Sequence, residues 1–316
     1  MIRPYPELEN CTVCPQACGI DRYEGPGSCD ADHRLQINLA HLHHGEEPVL
    51  SGTRGSGTVF FSHCNLHCRF CQNYQISQLG WGDYITEEKC AELLIDLQSH
   101  GAHNVNLVSP THYTPQLINV LKMARNRGLK IPVVWNSNGY ENLSTLQKLS
   151  GLVDIYLPDF KYAHAAYGLK YSSARDYPSI ALAALREMHS QVGNLQLDSE
   201  GIAVSGLLVR HLVLPHRLSG TKEILYLLRE DFGPDVALSL MAQYYPAGRA
   251  REYPELSRGL EQREYEEVLE TAGSLGFTQI FTQELSSQPD WTPDFREAGD
   301  PVDRDNLHFR GKENHA

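Results

Sequence analysis

Three cysteines in the first quarter of the chain have the types and spacing for metal chemistry. Cys64, Cys68 and Cys71 form a C-x3-C-x2-C pattern directly after an apolar segment. Thiolates this close on one loop can ligate several irons of a cubane cluster and leave one iron open to another ligand. A zinc site would need a fourth ligand, which His63 or His67 could supply, and free thiols are the remaining alternative. The spacing and the preceding strand favour the iron–sulfur cluster.

A second group of cysteines precedes the first. Cys11, Cys14, Cys18 and Cys29 place four thiols in a Pro- and Gly-rich segment that has few apolar residues with which to form a core. Four thiolates can hold structural zinc or a second iron–sulfur cluster, and the spacing does not separate the two. Free thiols are the less favoured interpretation, because a metal would hold the segment together. The eighth cysteine, Cys90, lies on the apolar face of a predicted helix and is expected in the core.

The residues around Cys64 resemble a known family. The triad resembles the signature of the radical S-adenosylmethionine (SAM) superfamily, and its flanking stretches resemble an uncharacterised branch related to pyruvate formate-lyase-activating enzymes. The flanking stretches are His44-Gly45-Glu46-Glu47-Pro48, Ser51-Gly52, Gly55-Ser56-Gly57-Thr58-Val59-Phe60-Phe61-Ser62 and Gln72-Asn73. The similarity runs from about residue 11 to Pro293-Asp294-Phe295, which is most of the chain.

The resemblance implies a fold and a reaction. The fold is α/β, a partial (β/α)6 radical SAM barrel with a small N-terminal Cys-rich segment. The cofactors are a [4Fe-4S] cluster and S-adenosyl-L-methionine, whose reductive cleavage yields a 5′-deoxyadenosyl radical that abstracts hydrogen from a substrate. A reductant such as flavodoxin or ferredoxin would supply the electron, and the expected substrate is a protein. The alternatives are a small molecule or RNA as substrate, or a non-catalytic iron–sulfur or zinc protein.

Polar residues interrupt the predicted strands where ligands bind in parallel α/β folds, at the carboxyl ends. Thr111 and His112 follow one strand, at the position where superfamily members contact the methionyl amino group, although a turn would explain them equally well. Ser137 and Asn138 follow the next strand. They lie in Asn136-Ser137-Asn138-Gly139, which resembles the Asp-Thr-Asn-Gly segment of glycyl-radical activating enzymes, so the resemblance implies that both reach the cofactor.

Three charged residues and one aromatic residue complete the candidate cofactor site. Asp159 and Lys161 resemble an Asp-x-Lys of related activating enzymes; a solvated ion pair is the alternative. Arg210 lies inside an apolar strand, where a charge needs a partner, and the resemblance implies that this partner is the cofactor carboxylate or ribose. His211 should face the other way, toward a helix. Phe70 resembles the aromatic residue beside the adenine.

Alternating strands and helices must position these residues. Short apolar runs separated by helices predict parallel βαβ units. The predicted strands are Thr58–Ser62, Val105–Val108, Val133–Trp135, Val153–Leu157, Leu207–Leu214, Val236–Met241 and Gln279–Phe281. The predicted helices are Thr86 to His100, Thr114 to Gly128 with Thr114 as N-cap, a segment with a Ser144/Gln147 capping box, Pro178 to Gln191, Ser219 to Arg229 and Gln262 to Leu275.

The predicted organisation has three parts. Residues 1–34 form the Cys-rich metal-binding segment, and residues 35–297 form the radical SAM core, which opens with an irregular His-rich loop over residues 35–56. Residues 298–316 are polar and charged, and are predicted to be a disordered tail.

The composition disfavours several classes of protein. The 316 residues carry 27 basic and 39 acidic side chains, a net charge of −12, which disfavours a broad nucleic-acid surface. No apolar run is long enough to span a bilayer, and the N-terminus lacks the apolar centre of an export signal. Clustered cysteines in such a chain favour metal sites in a reducing cytoplasm.

Overall fold

The computed structural model describes residues 3–285 and Phe295, and shows a mostly parallel open sheet with helices packed on its outer face. All seven predicted strands are confirmed, with ends that shift by a few residues. The strands are β1 Leu35–His43, β2 Ser56–Phe61, β3 Asp83–Ile85, β4 Val105–Val108, β5 Val133–Ser137, β6 Ile155–Pro158, β7 Gln196–Leu197, β8 Ala203–Leu212, β9 Ala237–Met241 and β10 Ile280–Thr282.

The order of the strands is that of a partial barrel. Within the described residues the sheet runs β10-β9-β8-β6-β5-β4-β2-β1-β3, with β7 paired to the side of β8. Every neighbouring pair from β2 to β10 along this path is parallel. The carboxyl ends of seven strands therefore meet at one edge of the sheet, as βαβ units require.

The predicted irregular loop over residues 35–56 is wrong for residues 35–43, which form a strand, and for residues 48–51, which form a short helix. Nine of these residues form β1, which pairs antiparallel with β2 on one side and with β3 on the other. Leu35, Ile37 and Leu39 have the spacing of two that a strand needs, but the His-rich end of the segment obscures that pattern. Pairing with β2 stabilises the strand and covers an edge that would otherwise be exposed.

The helices match the predicted ones and add three short segments. They are α1 Pro48–Ser51, α2 Tyr74–Ser77, α3 Glu87–Ser99, α4 Thr114–Asn126, α5 Leu143–Gln147, α6 Ala165–Ser172, α7 Tyr177–Val192, α8 Thr221–Phe232 and α9 Gln262–Ser274. Thr86 caps α3 by accepting a hydrogen bond from the Lys89 amide, 3.2 Å long. Cys90 is fully buried in the core, as predicted.

Two predicted caps are wrong. The N-cap of α4 is Tyr113, one residue earlier than predicted, because the Thr114 hydroxyl bonds backward to the Thr111 carbonyl at 2.7 Å. The Ser144/Gln147 capping box does not form, since α5 begins after Asn142. The Asn142 side chain instead donates to the carbonyl of Thr12, a contact that sequence spacing cannot predict.

The N-terminal segment packs across the outer helices. It contributes a small apolar cluster of its own, and Cys29 joins the main core. Gln116 of α4 donates to the His33 carbonyl at 2.5 Å, and Thr145 of α5 donates to the Val13 carbonyl at 2.8 Å. The predicted boundary at residue 34 coincides with the start of β1.

Two further predictions concern the C-terminal tail and membrane-spanning segments. The tail predicted over residues 298–316 lies outside the described residues. Among the helices of the described residues, none has the length and apolar content to cross a membrane.

Candidate functional site

The loop that carries Cys64, Cys68 and Cys71 lies between β2 and α2, at the carboxyl edge of the sheet. The end of α6 holds its backbone in place. His67 N donates to the Ser172 carbonyl at 3.1 Å, and Arg69 N donates to the Tyr171 carbonyl at 2.8 Å. The loop is therefore fixed by an element about a hundred residues further along the chain.

Each of the three thiols has a hydrogen-bonding neighbour. The Cys64 sulfur accepts from the Leu66 amide and from the Asn138 side chain, both at 3.4 Å. The Ser172 hydroxyl donates to the Cys68 sulfur at 3.0 Å. Donors directed at sulfur are suited to ligands that carry negative charge, as cluster thiolates do.

The third thiol, Cys71, lies 3.1 Å from the Ser77 hydroxyl of α2. Burial raises the pKa of the Cys64 thiol to about 12 and that of Cys71 to about 11, and each thiol's interaction with Cys68 adds to the shift. Without a cation these thiols would stay protonated at neutral pH. Because a bound metal stabilises the thiolate, this converging set fits an iron–sulfur cluster.

The zinc alternative lacks its fourth ligand. His63 Nε2 contacts Gln36 Oε1 at 2.9 Å, and His67 Nε2 contacts the Ser28 carbonyl at 2.8 Å. In the part of the chain that the structure describes, no three His, Cys, Asp or Glu side chains are arranged to hold a single metal ion. The histidines adjoining the triad are thus occupied elsewhere.

Asn138 is the predicted strand-end residue closest to the triad. Its side-chain amide donates both to Cys64 and to the Asn65 side chain, the latter at 2.7 Å. Asn65 in turn donates to the Tyr140 carbonyl at 2.9 Å. Ser137 is buried, and its hydroxyl accepts from the Gly139 amide at 3.3 Å. The Asn-Gly turn therefore forms, and the Asn138 side chain within it also contacts Cys64.

Asp159 and Lys161 form an ion pair close to Cys68. Their side chains are only 21% and 16% exposed, so the solvated pair that was the alternative is wrong. Although burial opposes it, the negative charges of Asp159 and of the Cys68 thiolate raise the pKa of Lys161. The pair places a fixed positive charge beside the second cysteine of the triad.

Thr111 and His112 are buried and bonded to other protein groups. Thr111 donates to the carboxylate of Glu141 at 2.8 Å, and His112 Nε2 contacts the Ser62 carbonyl at 2.9 Å. Burial and the charge of Arg22 lower the pKa of His112. These contacts fit the turn interpretation of the segment better than cofactor contact.

Phe70 is buried beside two tyrosines. Its ring meets Tyr244 and Tyr162 edge-on, with centroids 5.7 and 6.5 Å away. The aromatic group continues into the core, so Phe70 anchors the loop between Cys68 and Cys71.

The structure gives Arg210 a different partner from the expected cofactor. Its guanidinium binds Glu47 through Nε and Nη2, both at 2.7 Å, and also binds Glu46. Burial raises the pKa of Glu46, whereas the attraction of Arg210 outweighs burial and lowers that of Glu47. The prediction that this charge needs a partner is right. The partner is a pair of residues in the His44–Pro48 stretch.

His211 faces the opposite side of the sheet, as predicted. Its ring nitrogens contact the Phe160 carbonyl at 2.5 Å and the Thr221 hydroxyl of α8 at 2.8 Å. The alternation of a strand thus sends neighbouring side chains to the helical layer and to the barrel interior.

The structure adds residues that the sequence did not indicate. Ser172, Ser77 and Asn65 surround the triad, and only Asn65 had a signal, its position next to Cys64. A cavity of about 520 Å³ lies elsewhere, in the helical layer near α8 and α9, and is lined by residues such as Lys222 and Glu264. None of the predicted site residues lines it.

The four N-terminal cysteines also come together. Cys18 interacts with Cys11, and Cys14 interacts electrostatically with Cys29 and Cys11. All eight cysteines of the chain are free of disulfides. The four thiols therefore lie near one another, although no three of them are arranged around a single metal ion in this structure.

Comparison with known proteins places this geometry in a family. Residues 58–193 match the Radical SAM superfamily. The uncharacterized protein MJ0674 of Methanocaldococcus jannaschii is 32% identical over 280 residues, which cover 87% of this chain and 77% of that protein.

One solved structure shares the fold at low identity. Streptococcus suis SuiB, crystallised with its precursor peptide SuiA, has a TM-score of 0.51 at 13% identity, over 70% of this chain and 46% of that one. This chain therefore spans about half the length of SuiB. A domain of pyruvate-formate lyase-activating enzyme from Bacteroides vulgatus has a TM-score of 0.40 at 11% identity, over 54% of this chain and 92% of that domain. From the family match and the relative, the chain belongs to the radical SAM superfamily.

Proposed function

We propose that this chain is a radical SAM enzyme that abstracts hydrogen from a protein or peptide substrate. The observation that carries the proposal is the convergence of three thiols, each with a hydrogen-bonding neighbour, at the carboxyl edge of a parallel sheet. Members of the superfamily are enzymes that use a [4Fe-4S] cluster and S-adenosylmethionine. The polar residues at the strand ends, such as Ser137 and Asp159, favour an enzyme, because a carrier or sensor has no substrate or cofactor to bind there.

Different residues of the chain would have different roles at the site. Cys64, Cys68 and Cys71 would hold the cluster, which with bound S-adenosylmethionine supplies one-electron cleavage of the sulfonium and the 5′-deoxyadenosyl radical. The electron comes from an external reductant such as flavodoxin or ferredoxin. Asn138 and Ser172 donate to two of the sulfurs and so stabilise their negative charge.

The remaining predicted residues are proposed to contact the cofactor, and the structural support differs from one residue to the next. Lys161, held by Asp159, supplies a positive charge beside the triad that suits an anionic cofactor group. Ser137 at the end of β5 and Arg210 within β8 already have protein partners. Thr111, His112 and Phe70 would act through position, because all three are buried.

The first experiment tests the reaction. Reconstitution without oxygen, reduction and addition of S-adenosylmethionine should yield 5′-deoxyadenosine. Changing any of Cys64, Cys68 or Cys71 to Ala should abolish that product, whereas Cys90→Ala, which also removes a buried thiol, should retain it. A wild-type protein with a reduced cluster and no deoxyadenosine would instead be an electron carrier or sensor.

The second experiment tests the substrate class. Extract from the source cells is divided into a protein fraction, a small-molecule ultrafiltrate and an RNA fraction. The protein fraction should increase deoxyadenosine formation above the uncoupled rate. Stimulation by the ultrafiltrate or by RNA alone would replace the proposed class. The same fold in SuiB, crystallised with a precursor peptide, is the structural support for a peptide.

A further inference from the structure

A second candidate site lies in the N-terminal segment, at Cys11, Cys14, Cys18 and Cys29. The loop that connects the last two cysteines runs through Gly27. A methyl group built on Gly27 would meet the sulfurs of Cys18 and Cys29, each at 3.5 Å. The two sulfurs are therefore separated by at most twice that distance, and both lie beside the Gly27 backbone.

The same position borders a buried charge. The methyl group on Gly27 would also meet Cδ of Arg22 at 3.6 Å, and Arg22 is only 1% exposed. The guanidinium of Arg22 donates to two neutral carbonyls, those of His112 and Asp32. Its Nε has no hydrogen-bond partner.

Arg22 therefore has no carboxylate partner among the described residues. Among the residues that the structure describes, no carboxylate lies within 4.0 Å of its nitrogens, whereas the other buried arginine, Arg210, has two. A buried charge without a counter-ion costs several kcal/mol, so native proteins pair it. Two acidic groups interact electrostatically with Arg22, the Tyr113 phenol and the Cys29 thiol. Burial raises the pKa of Tyr113 well above its usual value, so the phenol stays neutral and the thiol is the group that can supply the anion.

We infer that Cys11, Cys14, Cys18 and Cys29 hold a metal centre as thiolates, which the metal draws together on binding, with Arg22 as its buried counter-charge and Gly27 leaving the two nearest sulfurs room to move. A four-thiolate zinc ion or iron–sulfur cluster is net negative, as Arg22 requires. The four-thiolate set is coordinatively closed and is distinct from the Cys64 site.

The two sites share a boundary. Gln16, between Cys14 and Cys18, donates to the Asn65 carbonyl at 3.0 Å. Ser28, next to Cys29, accepts through its carbonyl from His67 at 2.8 Å. A metal that orders the N-terminal segment would thus also brace the loop that carries Cys64 and Cys68.

The first test measures metal content. The purified full-length chain is reconstituted without oxygen, in one arm with iron and sulfide and in the other with zinc. We expect the wild type to hold one more metal centre per chain than the Cys14→Ser/Cys29→Ser variant, while Cys90→Ser matches the wild type. Zinc or additional iron in the difference identifies the metal. Equal content in both proteins would overturn the inference.

The second test keeps every thiol. Gly27→Ala should place a methyl group in van der Waals contact with both sulfurs, where it would hinder their movement toward a metal, whereas Gly25→Ala in the same loop meets nothing within 4 Å. Neither glycine has a positive φ, so both variants should fold. We expect at least a tenfold weaker affinity for Co²⁺, followed by its thiolate absorption bands, in Gly27→Ala alone. Equal affinity in the two variants would contradict the assigned position.

The third test removes the counter-charge. Arg22→Met retains the length of the side chain but not its charge, and should weaken Co²⁺ binding at least tenfold relative to the wild type. Arg3→Met, an exposed arginine of the same segment, is the control and should leave the affinity unchanged. Unchanged affinity in Arg22→Met would show that the thiolates are balanced by another group.

Discussion

At the scale of single residues, the molecule is organised by a few buried charges. Arg210 is held by two carboxylates, Lys161 by one, and Arg22 by none in the described residues. Glu141 is a buried carboxylate with only neutral donors, from Thr111 and Trp135. Charges inside a protein must be paired or neutralised. Each of these groups should therefore affect the stability of the protein in its own way.

Arg210→Ala should destabilise the protein by about 3–5 kcal/mol, because it leaves two buried carboxylates without their partner. Denaturant unfolding without oxygen measures the loss. Arg249→Ala is the matched control, since the Arg249–Glu252 pair is half exposed and should cost less than about 1 kcal/mol. Arg210→Met combined with Glu46→Gln and Glu47→Gln should recover stability. If Arg210→Ala instead weakened only S-adenosylmethionine binding, the residue would be a cofactor ligand.

Loss of the proton from Glu141 should lower the free energy of unfolding of the wild type as pH rises. Burial raises the pKa of its carboxyl from 4.5 to about 7, so the folded state binds the proton more tightly than the unfolded state. The proton's stabilising effect is complete below pH 4.5 and is lost as pH rises to 7, which removes at most roughly 3 kcal/mol. Glu141→Gln should flatten this part of the unfolding profile, and the exposed Glu230→Gln should not. Identical profiles for wild type and Glu141→Gln would refute the assignment.

At the scale of elements, the loop with the triad depends on α6 more than on the strand before it. The last residues of α6 accept two backbone hydrogen bonds from the loop, and Ser172 adds a side-chain bond to Cys68. The Tyr162 and Ser172 hydroxyls lie 2.7 Å apart, which fixes the serine rotamer. The helix thus positions a cluster ligand without being adjacent to it in sequence.

Ser172→Ala should shift the reduction potential of the cluster to a more negative value, because a hydrogen bond to a ligand sulfur favours the reduced, more negative state. Redox titration followed by electron paramagnetic resonance measures the shift. Ser179→Ala on the outer face of α7, whose hydroxyl bonds only the Asp176 carbonyl, is the control. An unchanged potential with full cluster content would show that the Ser172 hydroxyl has no influence on the cluster.

At the scale of the whole molecule, an open sheet and an N-terminal strap form one structure. The strap, residues 3–34, contacts α4 and α5 through Gln116 and Thr145, and contacts the triad loop through Gln16. The sheet ends at β3 on one side and β10 on the other within the described residues. Within the described residues the sheet is therefore not closed into a full barrel.

The strap and the core should unfold together in the metal-loaded protein. Hydrogen–deuterium exchange should show peptides from residues 8–33 protected to a similar degree as those of α4, because their hydrogen bonds to the core are buried or half-buried. The exposed turn at residues 198–201 is the fast-exchanging reference. Exchange of the strap at the rate of that turn would show that it detaches from an intact core.

The sequence by itself determined the local features of this protein. Apolar runs and helical periodicity predicted seven strands and five of the longer helices, and the Cys64 triad was visible from its spacing. These features depend on residues a few positions apart, where pattern and structure are directly linked. Charge in an apolar run also predicted that Arg210 must be paired.

Only the tertiary structure decided which groups meet. Arg210 pairs with Glu46 and Glu47 more than 160 positions away, and Ser172 reaches Cys68 over a separation of 104. The strand β1 was obscured because its stability comes from pairing with β2 rather than from its own composition. Contacts across such separations depend on how the elements pack, and a buried charge accepts any partner that the packing supplies.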